Sequence, residues 1–342
     1  MLAYPLLWHL VFVRVAHLKI VAEHVVVAQH PAFRRRNAAP RRPAEHSPCR
    51  AEEAYLNHPH RPLQTSASTV ADIRVDRCRH PRRPSKRHGS QTVTQALENS
   101  CNQSFIQIGA RLGKEAFCDY FAAFGLREPT GVDLPAEPKK SLYYTADRMG
   151  PVELASCAFG QSSKISYMEM ATAVCAVMNG GRLMQPYLVS DILNPDGSIL
   201  QHTEPVCRRQ VIKPETSETM REMMEAVVLY GGGRNARIQG YRVGGKSGTS
   251  QKLDSADEKA RIASFVAVAP IDDPQFLCLV CLDEPHSWTT AGGSLSAPVC
   301  AEVLEQTLVY KGVPRAVEPE TDPDPAQTAA DLPADGDSFD GA

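Results

Sequence analysis

The chain has 342 residues, of which 43% are hydrophobic and 22% charged, and its formal net charge is -2. This length allows one large or two medium globular domains, and the nearly balanced charge argues against a dominant role in nucleic-acid binding. The charges are nevertheless distributed unevenly along the chain: residues 31–88 are rich in Arg and His, whereas residues 316–342 are rich in Asp, Glu, Pro and Ala. Both ends therefore differ in character from the middle of the chain.

The ten cysteines lack the paired spacing of a zinc site or of a dense disulfide framework. Cys278 and Cys281 form a close pair, but they lie in the apolar run 276–282, which predicts a buried strand. Small packed thiols are the favoured interpretation, without a redox role. The sequence predicts no metal site and no other cofactor.

Residues 1–30 begin with an apolar segment that His9 and Arg14 interrupt before it reaches the roughly 18–20 residues of a membrane-spanning helix. It is interpreted as neither an anchor nor a signal peptide. Residues 31–84 contain several Arg-rich sequences and little apolar periodicity, a composition that predicts disorder. A basic arm for nucleic acid or anionic lipid is less favoured, because aromatic residues are not interleaved with the basic ones.

From about residue 85 the apolar spacing becomes that of a folded domain. The predicted helices cover 92–97, 105–112, 115–124, 151–158, 166–178, 215–228 and 296–310. The predicted strands cover 188–193, 198–201, 241–243, 262–269 and 276–282. Consecutive strands late in the chain, with helices before and after, predict a mixed α+β fold in which helices cover a mainly antiparallel sheet. The tail 313–342 is predicted to be disordered.

The stretch Gly244–Gln251 places an ammonium, hydroxyls and a flexible glycine in a row. Alternation along a strand sends Lys246 and Gly248 to one face and Ser247 and Thr249 to the other, unless the glycine bends the strand and brings both sets to one cleft. A glycine-rich turn that enters a strand is the alternative.

A second candidate site, Ser100-x-Asn102, lies in the predicted link between two helices. Such a tripeptide is expected about once by chance in a chain of this length. Its functional value therefore depends on which residues lie near it in the fold.

The order of these motifs resembles the C-terminal part of a penicillin-binding protein transpeptidase domain, most like the class B enzymes of Gram-positive cell-wall or spore-wall synthesis. The matching stretches are 95–102, 131–137, 159–161, 176–181, 240–249 and 263–270. The resemblance implies the fold shared with serine β-lactamases, with its N-terminal part missing or replaced. It covers residues 85–312, between the Arg/His-rich segment 1–84, which lacks the resemblance, and the tail 313–342.

By this resemblance the reaction is acyl transfer from D-alanyl-D-alanine stem peptides of peptidoglycan, and β-lactams mimic the same dipeptide. Ser100 would relay a proton, Asn102 would hold a substrate amide, and Lys246 would supply positive charge beside Ser100. Thr249 would give an oxyanion N–H and a hydroxyl near the substrate carboxylate. The substrate-binding residues would be Ser247, Gly248, Thr249 and Gln251. The implied location is the outer face of the plasma membrane, with other cell-wall synthesis proteins as partners.

The family's nucleophile motif, Ser-x-x-Lys, does not occur in the sequence. The nearest candidate, Ser47-Pro-Cys-Arg50, is a chance match, since a guanidinium stays protonated and cannot act as a base. Our hypothesis is that residues 1–84 are out of frame or rearranged. Two function classes follow: a D,D-transpeptidase fragment that cannot acylate as written, and a non-catalytic module that binds stem peptides or partners. A β-lactamase is less favoured, because no deacylating glutamate motif is evident.

Overall fold

The computed structural model describes residues 8–14, 75–79 and 87–316, except 136, 139–141, 253, 254, 256 and 258. The predicted acidic tail from residue 317 onward, Ser47 and most of segment 1–84 lie outside the described residues. Within the described part of the chain, no helix is both long and apolar enough to cross a bilayer.

Groups of strands and groups of helices follow one another along the chain in a mixed α/β arrangement. The strands are β1 (Trp8–Arg14), β2 (Val75–Arg79), β3 (Arg87–Gln91), β4 (Arg182–Met184), β5 (Asp191–Leu193), β6 (Ile199–His202), β7 (Cys207–Gln210), β8 (Gly244–Gln251), β9 (Arg261–Ala269) and β10 (Phe276–Asp283). The helices are α1 (Val93–Glu98), α2 (Asn102–Leu112), α3 (Lys114–Ala123), α4 (Pro151–Ala158), α5 (Tyr167–Met178), α6 (Pro214–Leu229) and α7 (Gly292–Tyr310). A short 3₁₀ turn, Arg234–Ala236, lies between α6 and β8.

The central sheet has the strand order β1-β10-β9-β8, and each neighbouring pair is antiparallel. The predicted antiparallel sheet is thus confirmed. β8 is the terminal strand of this sheet, and its outer edge pairs with no other described strand. The backbone groups of that edge are therefore available to an added strand.

Helices cover both faces of the sheet. On one face, α5 and α6 pack against side chains of β9 and β10 that include Val266 and Leu279. On the other face, α7 packs against Phe265 and Val280. The neighbouring residues Phe265 and Val266 thus bury opposite faces of β9, as the two-residue period of a strand requires. Cys278 and Cys281 are both buried in β10, which confirms the predicted strand of packed thiols.

The local sequence explains where the helices around Ser100 begin and end. Thr92 caps α1, because its side chain accepts the Gln95 N–H while the Gln95 side chain accepts the Thr92 N–H. The chain then leaves α1 through Asn99 and Ser100, and Ser100 has a φ of 47°. α2 starts at Asn102 rather than at the predicted residue 105. Ser100 therefore lies in the link, whereas Asn102 is already helical.

Other predicted boundaries or states are also wrong. Residues 241–243 do not form a strand: Tyr241 makes only an isolated bridge to Ile238, and the strand begins at Gly244. α7 begins at Gly292 instead of 296, since its glycines pack closely against neighbouring backbone, a tertiary contact that helix propensity does not contain. β2 is a strand inside the segment 31–84 predicted to be disordered, because pairing with β3 overrides composition there, and β1 pairs with β10.

Gly245 allows β8 to lie close to the core. A Cβ at this position would be 2.6 Å from Phe265 Cε1 and 2.8 Å from the Val266 carbonyl oxygen. We therefore expect Gly245→Ala to lower the free energy of unfolding by about 1–3 kcal/mol through overpacking. Urea unfolding of Gly245→Ala beside Gly232→Ala measures this, because a Cβ at Gly232 meets nothing within 4 Å. Equal stability of the two variants would contradict this account of Gly245.

Candidate active site

Lys246 joins the central sheet to the turn between α1 and α2. Its Nζ donates a hydrogen bond to Ser100 Oγ. The same Nζ donates to the Ser247 carbonyl oxygen at 3.0 Å and contacts Ser247 Oγ at 3.3 Å. Two predicted site residues distant in sequence, Ser100 and Lys246, are therefore in direct contact.

Burial destabilises the protonated form of Lys246 relative to the neutral form. Desolvation lowers its pKa from the ordinary value of 10.5 to about 8. Its three hydrogen-bonding contacts are hydroxyl and carbonyl oxygens rather than carboxylates. A lysine in this state gives up its proton near neutral pH much more readily than an exposed lysine does.

Ser100 and Asn102 present accessible polar groups beside Lys246. Both residues are exposed. The turn itself is fixed by backbone hydrogen bonds: the Ser100 N–H donates to the Leu97 carbonyl at 3.2 Å, and the Cys101 N–H donates to the Ala96 carbonyl at 2.9 Å. The Ser100 hydroxyl is thus oriented toward Lys246 by the turn and is not needed to hold the turn together.

The predicted alternation along β8 is confirmed. Lys246 pairs with Val266 in the register, whereas Ser247 pairs with Phe265, so the two residues follow opposite faces of the sheet. The Nζ of Lys246 nevertheless reaches Ser247 Oγ. The lysine side chain therefore connects the Ser100 side of β8 with the face that carries Ser247 and Thr249.

A cavity of about 420 Å³ opens on the Ser247 and Thr249 face of β8. Its other walls are the loop after α6 and the start of α7. The lining residues are Gly231, Gly232, Arg234, Asn235, Ser247, Thr249, Ala291, Gly292, Gly293 and Ser294. The wall is rich in glycine, which leaves backbone groups accessible to a ligand.

Hydrogen bonds hold these walls together. The Gly292 N–H donates to Thr249 Oγ1 at 3.2 Å, and Asn235 Nδ2 donates to the Gly293 carbonyl at 3.0 Å. The Gly232 N–H donates to the Glu98 carbonyl at 3.3 Å, at the end of the helix that leads to Ser100. The cavity and the Lys246–Ser100 contact therefore belong to one connected site.

The remaining predicted residues lie at the margins of the site. Gly248 faces Ser264, whose hydroxyl donates to the Gly248 carbonyl at 3.3 Å. Gln251 is exposed at the last position of β8, outside the cavity lining. Asn102 is near Ser100 in the chain but does not line the cavity.

Sequence reasoning missed Arg234 and Asn235. Both are exposed on the cavity wall, and one Arg234 amino group donates to the Tyr230 carbonyl at 3.0 Å. The run Gly231-Gly-Gly-Arg-Asn235 was the available signal, since consecutive glycines between a helix and a strand mark a close approach of backbone. The glycine pair at the start of α7 was a second such signal.

The family model of the penicillin binding protein transpeptidase domain matches residues 71–305. The chain belongs to this family. The match extends over the Ser100 turn, the whole of β8, the loop after α6 and the start of α7. The family resemblance seen in the sequence is thereby confirmed.

Curated relatives include a sporulation protein and a peptidoglycan D,D-transpeptidase. Stage V sporulation protein D of Bacillus subtilis is 39% identical over 229 residues, which cover 66% of this chain and 35% of that protein. Peptidoglycan D,D-transpeptidase FtsI of Escherichia coli is 28% identical over 225 residues, 65% of this chain and 36% of FtsI. The chain thus spans little more than a third of the length of these relatives.

Solved structures of the family share the fold. Penicillin binding protein 3 of Mycobacterium tuberculosis, in complex with ampicillin, has a TM-score of 0.62 at 26% identity; the match covers 69% of this chain and 55% of that one. The apo transpeptidase domain of Burkholderia pseudomallei penicillin-binding protein 3 has a TM-score of 0.63 at 27% identity, covering 73% and 75%. The transpeptidase fold is therefore confirmed.

The state of Lys246 can be measured directly. We expect its titration midpoint near pH 8 in the folded protein, because burial lowers this pKa. NMR of ¹³Cε-labelled lysine, assigned with Lys246→Met, measures it. Lys252 is the internal control, since hydrogen bonds to Asp283 and Glu284 raise its pKa.

The same shift predicts a pH dependence of stability. Between about pH 8 and 10.5 the unfolded chain holds the Lys246 proton more tightly than the folded one, so this residue's contribution to stability increases as the pH rises. Lys246→Met removes that contribution. A Lys246 midpoint at or above 10.5 would contradict both expectations.

Proposed function

We propose that this protein acts in peptidoglycan synthesis as a D,D-transpeptidase-class protein, and that the described domain recognises stem peptides ending in D-alanyl-D-alanine. The observation that carries the proposal is the hydrogen-bonded set Ser100, Lys246 and Ser247 beside the open edge of β8. It combines a proton-transferring pair with a strand edge and an adjoining cavity.

An extended peptide fits the open edge of β8. Its backbone would pair with the strand as an added antiparallel or parallel neighbour, and main-chain hydrogen bonds would supply affinity. Specificity would then come from the side chains and the cavity next to the edge. Gly248, in the middle of the strand, leaves room for the Ser264 hydroxyl of the paired strand β9.

The cavity suits the terminal carboxylate of such a peptide. Arg234 brings positive charge, while Ser247 and Thr249 bring hydroxyl donors. Lys246 adds a second cation where Nζ meets Ser247. β-Lactam antibiotics carry a carboxylate next to a strained amide, so the same groups would bind them.

Ser100 and Lys246 suit proton transfer to and from a bound peptide. Proton exchange between Oγ and Nζ needs a lysine whose pKa is close to the working pH, and burial brings Lys246 to about 8. Asn102, exposed at the start of α2, would hold a substrate amide, and Gln251 would contact the peptide further along the strand. The Thr249 N–H would donate to an oxyanion.

A second candidate is a non-catalytic peptide-binding module of cell-wall assembly. The absence of Ser-x-x-Lys from the sequence favours it. Release of D-alanine from a diacetyl-Lys-D-Ala-D-Ala peptide separates the two candidates. Turnover supports the enzyme, whereas binding without D-alanine release supports the module.

The place of action follows from the substrate. Peptidoglycan stem peptides are joined outside the plasma membrane, so we propose that face as the location, with other cell-wall synthesis proteins as partners. One relative is named as a sporulation protein and another as a peptidoglycan D,D-transpeptidase, which supports a role in wall synthesis.

The hydroxyl of Thr249 provides a test of recognition. We expect Thr249→Val to weaken binding of an acyl-D-Ala-D-Ala peptide about tenfold, because one hydrogen bond to a charged group contributes about 1.5–3 kcal/mol. Thr249→Ser keeps the hydroxyl and serves as the matched control. Isothermal titration calorimetry of the full chain measures both affinities.

The stereochemistry of the ligand supplies the second control. The corresponding L-Ala-L-Ala peptide should bind more weakly than the D-Ala-D-Ala peptide, since inverting both α-carbons moves its methyl groups and its carboxylate away from the positions that the D peptide would take beside β8. Equal affinity for the two peptides, or no loss in Thr249→Val, would refute the proposed recognition of D-alanyl-D-alanine on this face.

A further inference from the structure

We propose that Ser100 is itself a nucleophile, able to accept an acyl group from a strained or activated carbonyl compound with Lys246 as its base. This activity goes beyond the proposed function, in which Ser100 only relays a proton. Peptide recognition does not require it, so either idea can fail while the other stands.

The contact between the two side chains is that of a serine–lysine pair. Lys246 Nζ lies within hydrogen-bonding distance of Ser100 Oγ, and Ser100 is exposed to an incoming ligand. Serine hydroxyls become nucleophilic when an adjacent base can take their proton, and lysine serves as that base in several unrelated hydrolases.

Lys246 can take the proton because, among the described residues, its Nζ forms no ion pair with a carboxylate. Its hydrogen-bonding contacts are Ser100 Oγ and the Ser247 carbonyl and hydroxyl oxygens, and no carboxylate is among them. Burial lowers its pKa to about 8, so a larger fraction of Lys246 is neutral near pH 7 than for an exposed lysine. Lys252, just beyond the same strand, shows the opposite arrangement, with ion pairs to Asp283 and Glu284 at 2.9 Å.

The backbone at Ser100 resembles the sharp turn that presents a nucleophile in other serine enzymes. Ser100 has a φ of 47°, in the left-handed region that side chains other than glycine seldom occupy. Strain of this kind clusters at functional sites. Here it directs the hydroxyl away from α1 and toward Lys246, ahead of the next helix.

The start of α2 supplies donors for an oxyanion. The N–H groups of Asn102 and Gln103 lie in the first turn, where a helix offers no internal acceptor. Cys101 caps the helix without a side-chain hydrogen bond, and no acidic residue occupies the first turn. Negative charge that develops on a carbonyl attacked by Ser100 would therefore meet these N–H groups.

A penicillin illustrates the complete reaction. Ser100 Oγ attacks the lactam carbonyl carbon and forms a C–O bond, while its proton passes to the neutral Nζ of Lys246. The C–N bond of the four-membered ring then breaks, and the ring nitrogen takes the bonding pair and the proton from Lys246. The product is an ester on Ser100, Lys246 is neutral again, and no other reactant is consumed.

Fluorescent penicillin tests the proposal on the full chain. We expect time-dependent covalent labelling of the native protein, with the adduct mapped to the peptide that contains Ser100. Ser100→Ala should abolish the label, whereas Ser100→Cys should retain it as a thioester. Since Ser100 is exposed and its turn is held by backbone hydrogen bonds, the alanine variant should unfold like the native protein.

Two further variants test the other parts of the proposal. One removes the base, and the other removes a serine hydroxyl at a similar backbone turn that lacks a lysine. Lys246→Arg keeps a cation that cannot accept a proton, and should slow labelling by about 100-fold or more. Ser162→Ala is the matched serine control: Ser162 also has a positive φ, 66°, but its hydroxyl contacts Ser156 Oγ at 2.6 Å instead of a lysine. It should label like the native chain.

Three results would overturn the proposal. The first is no label on the native chain after prolonged incubation, even if it still binds D-Ala-D-Ala peptide. The second is an adduct on a residue other than Ser100, or undiminished label in Ser100→Ala. The third is an unchanged rate in Lys246→Arg. Label on Ser100 without any peptide binding would instead count against the proposed function alone.

Discussion

The pairing register between β8 and β9 determines where every group of the site lies. Lys246 stands opposite Val266 and Ser247 opposite Phe265. A shift of one residue would exchange their faces, sending the lysine toward α7 and the hydroxyl toward α5. Close packing at Gly244 and Gly245 restricts that shift, because a Cβ at either position would meet Ile271 or Phe265 within 2.6 Å. Two glycines at the start of β8 thus help to fix the faces on which Lys246 and Ser247 lie.

The β8–β9 register places Lys246 where its Nζ contacts Ser100 Oγ. Its contact with Ser100 joins residues separated by 146 positions, so it exists only when the sheet and the α1–α2 turn are assembled. A buried ammonium beside hydroxyl and carbonyl oxygens is less stable than one paired with a carboxylate. The hydrogen bonds of the Lys246 ammonium to described residues go only to hydroxyl and carbonyl oxygens. The Lys252 ammonium instead forms ion pairs with Asp283 and Glu284. Two lysines near the end of one strand therefore have opposite pKa shifts, downward at Lys246 and upward at Lys252.

Much of this arrangement could be predicted from local sequence. The alternation of Lys246 and Ser247, the strands 262–269 and 276–282 and the helix 151–158 follow from periodicity, and all agree with the structure. The cavity residues Arg234 and Asn235 could not be predicted in the same way, because a glycine-rich loop has no period. The early start of α7 at Gly292 depends on contact with Gly248 and Ser264, which only the assembled sheet provides.

The Ser100–Lys246 contact supports both relay and nucleophilic attack for one physical reason. In each case the proton leaves Oγ for Nζ, and the pair must be oriented before a ligand arrives. What differs is the atom that lies beside Oγ: a leaving amine in the relay, or a carbonyl carbon in the attack. In the proposed complex, the turn and the open edge of β8 would bring peptide carbonyls and amides past the same hydroxyl. The ligand's position along the strand would then decide between the two reactions, while the Ser100–Lys246 contact would supply the proton path for both.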